Sequence, residues 1–343
     1  MRVLLVRLSS IGDVVHTLPT LQALSRAGHE VGWIVEPAAR PLLEGHPLLA
    51  AGLVAAPAAR RFALGPARAS LQALRRGQYD IALDLQGLWK SAAWARASGS
   101  RRVIGWKAAH RREPASALLM SEGVDQPADA RHVVDKNLSL LRVLGIDALG
   151  LREFPLPAMA QEDEAVAREL RGLGVGEFVV LNPGGGWESK LWPPESFGAL
   201  ARGLAEAGLC SLVTWGPGEE ALADRVVAAS GGTAGRSFPT TLRECAALCR
   251  RAKLVVAADT GPLHIACAVG TPVVALFGPT DPERNGPFRP EDLVVRRVSS
   301  CAPCYKRQCA RHAGVMAGLG VAEVLAAVRA RLLASAREVP RAV

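Results

Sequence analysis

The 343-residue chain carries a formal net charge of +9, with 49% apolar and 21% charged side chains and seven cysteines. That length exceeds one ordinary core and suits two domains of the commonest size, and the composition is globular rather than disordered. No apolar run approaches the roughly 18 residues that span a bilayer, and the first, Val3 to Val6, is cut off by Arg7 and then Asp13, so neither a membrane span nor a signal peptide is expected and the cytoplasm is the expected place of work.

Arg2 to Leu8 reads as a strand, Ser9-Ser10-Ile11-Gly12-Asp13 as a polar turn, and Val14 to Ala27 as an amphipathic helix stopped by Gly28. Asp13 then stands at the carboxyl edge of a sheet where a helix begins, the place where open α/β sheets hold ligands. An N-cap duty explains it equally well. Gly12 stands alone without G-x-G-x-x-G, which weakens a nicotinamide enzyme. Val31 to Val35 and Ile81 to Leu85 read as further strands, with helices at Leu71 to Arg76 and Lys90 to Ala97. In Asp84-Leu85-Gln86-Gly87-Leu88-Trp89-Lys90 a strand end again delivers polar groups, Gln86 and Lys90, to a helix start, although a solvated lysine is the ordinary alternative.

Four arginine pairs punctuate this half: Arg60-Arg61, Arg75-Arg76, Arg101-Arg102 and Arg111-Arg112. The second decorates a helix face; the others lie in or beside loops, where guanidinium forks grip carboxylate or phosphate. Residues 1 to 155 hold 20 Lys+Arg against 13 Asp+Glu, and the remainder 21 against 19, so the first half is expected to meet something anionic. No aromatic-interleaved basic stripe is present, and no nucleic-acid partner is expected. His132 to Leu144 is helical and Gly145 to Pro157 is the expected linker.

In the second half a helix over Glu162 to Leu173 precedes a buried strand, Phe178 to Leu181, which feeds Asn182-Pro183-Gly184-Gly185-Gly186 and then Lys190. Three glycines at a strand exit let a ligand approach the backbone, and the lysine is suited to neutralise a diphosphate; a flexible loop without a ligand is the plain alternative. A helix at Pro194 to Ala207 and a strand at Ser211 to Trp215 lead to Glu219 and Glu220, which suit ribose hydroxyls or simply a helix first turn. After a helix at Leu242 to Arg251 comes a strand, Leu254 to Ala258, the turn Asp259-Thr260-Gly261-Pro262, a helix from Leu263 to Val269 and a strand from Pro272 to Phe277. Asp259 or Thr260 serves as N-cap and Gly270 as C′, and the amides of Thr260, Gly261 and Leu263 make a seat for a phosphate. Cys210, Cys245, Cys249 and Cys267 fall in apolar segments as small reduced hydrophobes. Cys301-Ala302-Pro303-Cys304, with Cys309 and His312, opens like a zinc site but lacks a second knuckle, and no metal is expected. A helix from Val321 to Ser335 ends the fold.

Taken together, RLSSIGDVVHTLP (Arg7 to Pro19), DLQGLWKSA (Asp84 to Ala92), REP (Arg112 to Pro114), the Lys190-Leu191-Trp192-Pro193 turn and DTGPLH with FGPTDP (Asp259 to Pro282) resemble the lipopolysaccharide heptosyltransferases of glycosyltransferase family 9 over nearly the whole chain. The REP segment with Arg60-Arg61 is most similar to the heptosyltransferase I branch. The resemblance implies an α/β GT-B fold: two Rossmann-like domains with parallel sheets facing a central cleft, an acceptor domain over 1–155, an ADP-sugar domain over 156–325, and a C-terminal helix and tail over 326–343.

It also implies inverting transfer of L-glycero-D-manno-heptose from ADP-heptose to Kdo of Kdo-lipid A. Asp13 would be the general base, and Lys190 with the amides of Thr260 to Leu263 would hold the leaving diphosphate without a metal or other cofactor. Gly185, Gly186, Glu219, Glu220, Asp259, Thr260, Gly261, Pro262, Leu263 and His264 would line the donor site. Ser10, Arg60, Arg61, Lys90 and Arg112 would receive the acceptor's carboxylates and phosphates, and the arginines would attach the protein peripherally to the anionic inner face of the cytoplasmic membrane. A transferase acting on a later core acceptor or another nucleotide sugar, and a non-catalytic nucleotide-sugar-binding scaffold, are the alternative readings. Two features depart from the family pattern: Gly184, Gly185 and Gly186 stand where members often carry Thr or Ser, and a fourth cysteine near Val315-Met316 is absent.

Overall fold

Short runs rich in Val, Leu and Ile, bounded by polar turns, form the strands of two separate sheets. The computed structural model describes residues 1–57, 64–304, 306–308 and 313–337, and the chain divides into two units, Met1–Ala158 and Met159–Val343.

In the first unit the strands are β1 (Arg2–Val6), β2 (Glu30–Val35), β3 (Gly52–Ala55), β4 (Ile81–Asp84), β5 (Arg102–Trp106) and β6 (Glu122–Val124), all parallel in the order β3-β2-β1-β4-β5-β6. Its helices are α1 (Ile11–Val15), α2 (Leu18–Arg26), α3 (Leu64–Arg76), α4 (Trp89–Ala97) and α5 (Val133–Ser139). The second unit has β7 (Phe178–Asn182), β8 (Cys210–Val213), β9 (Ala234–Arg236), β10 (Leu254–Ala258), β11 (Val273–Phe277) and β12 (Leu293–Arg296), all parallel in the order β12-β11-β10-β7-β8-β9. Its helices are α6 (Ala160–Gly172), α7 (Pro194–Ala205), α8 (Glu220–Ala229), α9 (Leu242–Arg251), α10 (Gly261–Ala268), α11 (Pro282–Asn285), α12 (Ala313–Ala317) and α13 (Val321–Arg337).

Each sheet repeats the doubly wound permutation, with the chain reversing direction of travel between β1 and β4 in one unit and between β7 and β10 in the other. Ligands of such sheets sit outside the carboxyl ends of those two strands. The central strands β7, β10 and β11 are buried along their whole length, as parallel strands covered on both faces must be.

The helix expected over Val14 to Ala27 is in fact two. Pro19 has no N–H to give the carbonyl of Val15 and its ring crowds that carbonyl, so α1 ends and Thr17 caps α2 with Pro19 in its first turn. The helix over His132 to Leu144 passes from α5 into a 3-10 turn at Leu140–Leu144, closed by Gly145 at φ +74°. The short strands β3, β5, β6, β9 and β12, which the sequence reading did not mark, complete the sheets.

α13 packs against α7, β11 and β12, burying Val324 and Val328. It is pinned by an ion pair between Arg331 Nε and Asp292 Oδ1 at 2.9 Å, both side chains 0% exposed. Trp192, fully buried, donates from Nε1 to the Leu319 carbonyl at 3.1 Å and meets Phe197 edge-on. Among the described residues no helix is long and apolar enough to cross a membrane.

Candidate active site

The switch point of the second unit gathers its polar groups around one carboxylate. Asp259 follows β10 directly and is buried. Its Oδ2 accepts from Lys190 Nζ at 2.6 Å, and its Oδ1 accepts from Asn285 Nδ2 at 2.5 Å and lies 3.2 Å from His264 Nε2. Burial alone would push the Asp259 pKa up; the His264 hydrogen bond and the Lys190 charge outweigh it and hold the carboxyl well below the usual range. Lys190 also donates to the Asp259 carbonyl at 3.1 Å and lies over the Trp187 ring at 4.4 Å. Asp259 is thus an organiser whose oxygens face protein donors, and Lys190 is the cation it sets in place.

Thr260, not Asp259, is the N-cap of α10, which starts two residues earlier than expected; its hydroxyl turns to the Ala258 carbonyl at 3.2 Å and makes no side-chain cap bond. Pro262 lies in the first turn, and Leu263 and His264 are buried, so Leu263 offers this edge its backbone alone. Gly270 takes φ +81° after the helix, as its C′ position requires.

Glu219 clamps two strand exits. Its Oε1 accepts from the Gly185 amide at 2.8 Å and its Oε2 from the Gly216 amide at 2.9 Å. A β-carbon at Gly184 would collide with that carboxylate, and one at Gly185 would approach Thr260 Cγ2 at 2.7 Å. A side chain at either of these two glycines would thus displace its neighbour, whereas Gly186 is exposed with open space beside it. Glu220 opens α8 as a first-turn carboxylate. The turn carrying Lys190 is tied to the cysteine-bearing segment, since Ser189 Oγ donates to the Lys306 carbonyl at 2.7 Å and the Ser189 amide to that of Arg307 at 3.2 Å. Cys301 and Cys304 are free thiols; Cys309 and His312 lie outside the described residues. Among the described residues no group of three or more His, Cys, Asp or Glu is arranged to hold a metal ion.

In the first unit, Ser10 caps α1 and Asp13 occupies its third position, so Asp13 is not the cap itself. Asp13 Oδ2 accepts from the Ser10 amide at 3.1 Å and from Ser10 Oγ at 2.9 Å. Lys90 is no solvated lysine: its Nζ donates to Glu36 Oε1 at 2.7 Å and to Ser9 Oγ at 3.2 Å, linking the exits of β2 and β1. Gln86 Oε1 accepts from the Leu8 amide at 2.8 Å, joining the exits of β4 and β1.

The Arg111-Arg112 pair splits. Arg111 is buried, donating to Asp84 and to Ser116 Oγ, the latter at 2.7 Å, whereas Arg112 is exposed. Arg102 meets Glu122 at 2.7 Å across β5 and β6, a structural link. Arg60 and Arg61 lie outside the described residues. Glu36 and Asn285 were missed from the sequence. Each follows a strand of its sheet, Glu36 directly after β2 and Asn285 on the turn after β11, so the strand-exit rule that singled out Asp13 and Asp259 applies to them as well.

Residues 67–313 match the family model for "Glycosyltransferase family 9 (heptosyltransferase)". The chain is 32% identical over 318 residues to lipopolysaccharide heptosyltransferase 1 of Pseudomonas aeruginosa, covering 90% of this chain and 87% of that one. Among solved structures it is similar to E. coli heptosyltransferase WaaC with ADP-2-deoxy-2-fluoro heptose, with a TM-score of 0.74 and 26% identity over 96% of this chain and 99% of that one. E. coli ADP-heptose lps heptosyltransferase II shares the fold, with a TM-score of 0.79 at 21% identity over 98% of this chain and all of that one (100%).

Proposed function

Because the chain belongs to glycosyltransferase family 9, the heptosyltransferases, we propose that it is an inverting enzyme moving L-glycero-D-manno-heptose from ADP-heptose to Kdo of Kdo-lipid A. Heptose transfer in lipopolysaccharide core synthesis is the work for which its relatives are named. The observation that carries the donor side of this reading is the cluster of Lys190, Asp259 and His264 at the start of α10, on the reversal point of its sheet.

An inverting transfer needs a base for the acceptor hydroxyl as that oxygen attacks the anomeric carbon, and a counter-charge for the departing ADP. Asp13 is the base of this proposal. Two hydrogen bonds from Ser10 hold its Oδ2, so it is oriented rather than made strongly basic, and it acts late, as the hydroxyl acidifies during attack. Lys190 and the amides of Thr260, Gly261 and Leu263 at the start of α10 meet the charge growing on the diphosphate, preorganised by Asp259. This assigns no step to a metal. Gly185, Gly186, Glu219, Glu220, Thr260 and Pro262 are proposed to line the donor site, with Glu219 or Glu220 toward the ribose. Ser10, Lys90, Arg112, Arg60 and Arg61 are proposed for the anionic acceptor, and the arginines of the first half for peripheral contact with an anionic membrane face.

The test offers the purified protein ADP-heptose, UDP-glucose and GDP-mannose with a Kdo-terminated lipid A acceptor, with and without EDTA, and follows which diphosphate is released. Release of ADP, undiminished by EDTA, is expected. Release of UDP or GDP instead would overturn the donor assignment, and an Asp13→Ala variant turning over within a few fold of the parent would overturn the base.

A further inference from the structure

Asn285 ends α11, on the turn that follows β11, and has no part in the reaction as proposed above. The residue is 7% exposed, and its side chain reaches back to the exit of β10, where Nδ2 donates to Asp259 Oδ1 at 2.5 Å. A carboxylate can only accept, which fixes the amide with its nitrogen inward, and its own Oδ1 lies 3.5 Å from Arg284 Nη1. Asp259 therefore gives one oxygen to Asn285 and His264 and the other to Lys190. A neutral amide is well suited to this place. It satisfies a buried lone pair and locks the carboxylate rotamer without adding a charge that would compete for the lysine.

We infer that Asn285 is a positioning residue of the donor site: by pinning Asp259 it sets where the Lys190 ammonium stands, and so how tightly the diphosphate of a nucleotide is held. This rests on the donor reading given above. It concerns a residue that touches the proposed ligand through two others, on a segment outside the glycine loop and the α10 turn. Among the described residues, the charged and titratable groups facing Asp259 are Lys190 from the turn after β7 and His264 from α10, with Arg284 behind Asn285 on α11.

An Asn→Asp exchange separates positioning from mere packing, because it keeps the shape and changes the charge. Two carboxylates in contact cannot both ionise cheaply, so they share a proton, and the new one competes for Lys190 and His264. As pH falls and the shared proton enters, the new side chain becomes a donor again and does what the amide did.

The experiment is titration of the full-length protein with ADP by calorimetry between pH 5.5 and 8.5, for the parent, Asn285→Ala, Asn285→Ser and Asn285→Asp, with a melting curve for each. Asn285→Ala is expected to weaken ADP binding about 10- to 100-fold at every pH, the worth of a hydrogen bond to a charged group. Asn285→Asp is expected to bind weakly at pH 8 and to recover affinity on acidification, a pH dependence that loss of packing would not produce. A folded Asn285→Asp variant with parental affinity and a parental pH profile would overturn the inference. If that variant does not fold at pH 8, Asn285→Ser decides: weaker ADP binding at a parental melting temperature supports the role, and parental binding overturns it. A parent protein that binds no ADP would overturn the donor reading itself, which is a separate result.

Discussion

The carboxylate of Glu219 occupies the space that a β-carbon on Gly184 would need, and from there it receives the amides of Gly185 and Gly216. Glycine at this position is thus a condition for the clamp that joins the exits of β7 and β8.

Gly184→Ala is expected to expel that carboxylate and leave two amides without their acceptor. Both bonds are part-buried, so the cost is about 1 kcal/mol of stability for each, the net worth of an ordinary hydrogen bond. ADP binding should weaken along with it, because the glycine loop leads into Lys190. Urea unfolding and ADP titration of the variant measure both, and a stable variant with parental affinity would remove Glu219 from the account.

Lys190 should matter more to turnover than to folding. Lys190→Met is expected to lower kcat/KM by about 100- to 1,000-fold, as the loss of one preorganised charge partner does elsewhere. It should also move acid unfolding. The folded pKa of Asp259 lies below its unfolded value, so the stability tied to its ionisation is complete above the unfolded value of about 4 and is lost as pH falls through the depressed folded value. Without the lysine that folded value rises, and the acid limb of the stability curve shifts to higher pH. Urea midpoints between pH 2 and 7 check this; an unmoved limb would mean that His264 and Asn285 hold the carboxylate unaided.

Asp13 and Ser10 form a pair in which one residue is proposed to do chemistry and the other to aim it. Asp13→Asn is expected to cut turnover by about 100- to 10,000-fold, the range of general-base catalysis, with ADP affinity unchanged. Ser10→Ala removes one of the two hydrogen bonds that Ser10 gives Asp13 Oδ2, and a loss of about tenfold is expected, in keeping with a single charge-assisted bond. Steady-state rates and ADP binding on both variants separate these effects.

The ion pair of Arg331 with Asp292 ties α13 to the second sheet. Burial pushes the Asp292 pKa up even with the arginine beside it. Arg331→Met should therefore cost about 3 to 5 kcal/mol, the penalty for a buried charge left unpaired. Adding Asp292→Asn should recover part of that loss, because the uncompensated charge is gone. Thermal melts of the single and double variants give the comparison, and ADP affinity should follow neither.

The local features can be read along the chain without the fold. Apolar runs bounded by Gly, Pro and Asp marked the central strands β1, β4, β7, β10 and β11, because a parallel strand buried on both faces must be apolar along its length. The sequence also placed Asp13, Lys190 and the α10 turn at carboxyl ends of strands, since a strand followed by a helix start is visible in one dimension. The strands β3, β5, β6, β9 and β12 were not legible: four of them are three- or four-residue segments at or near sheet edges that carry too little pattern, and β5 is broken by Gly105. Which polar groups meet is a matter of three-dimensional packing. Lys190 and Asp259 are 69 residues apart, Lys90 and Glu36 are 54 apart, and Arg111 rather than Arg112 turned inward to Asp84. Sheet order brings such residues side by side, and a hydrogen bond depends on distances that no local spacing encodes.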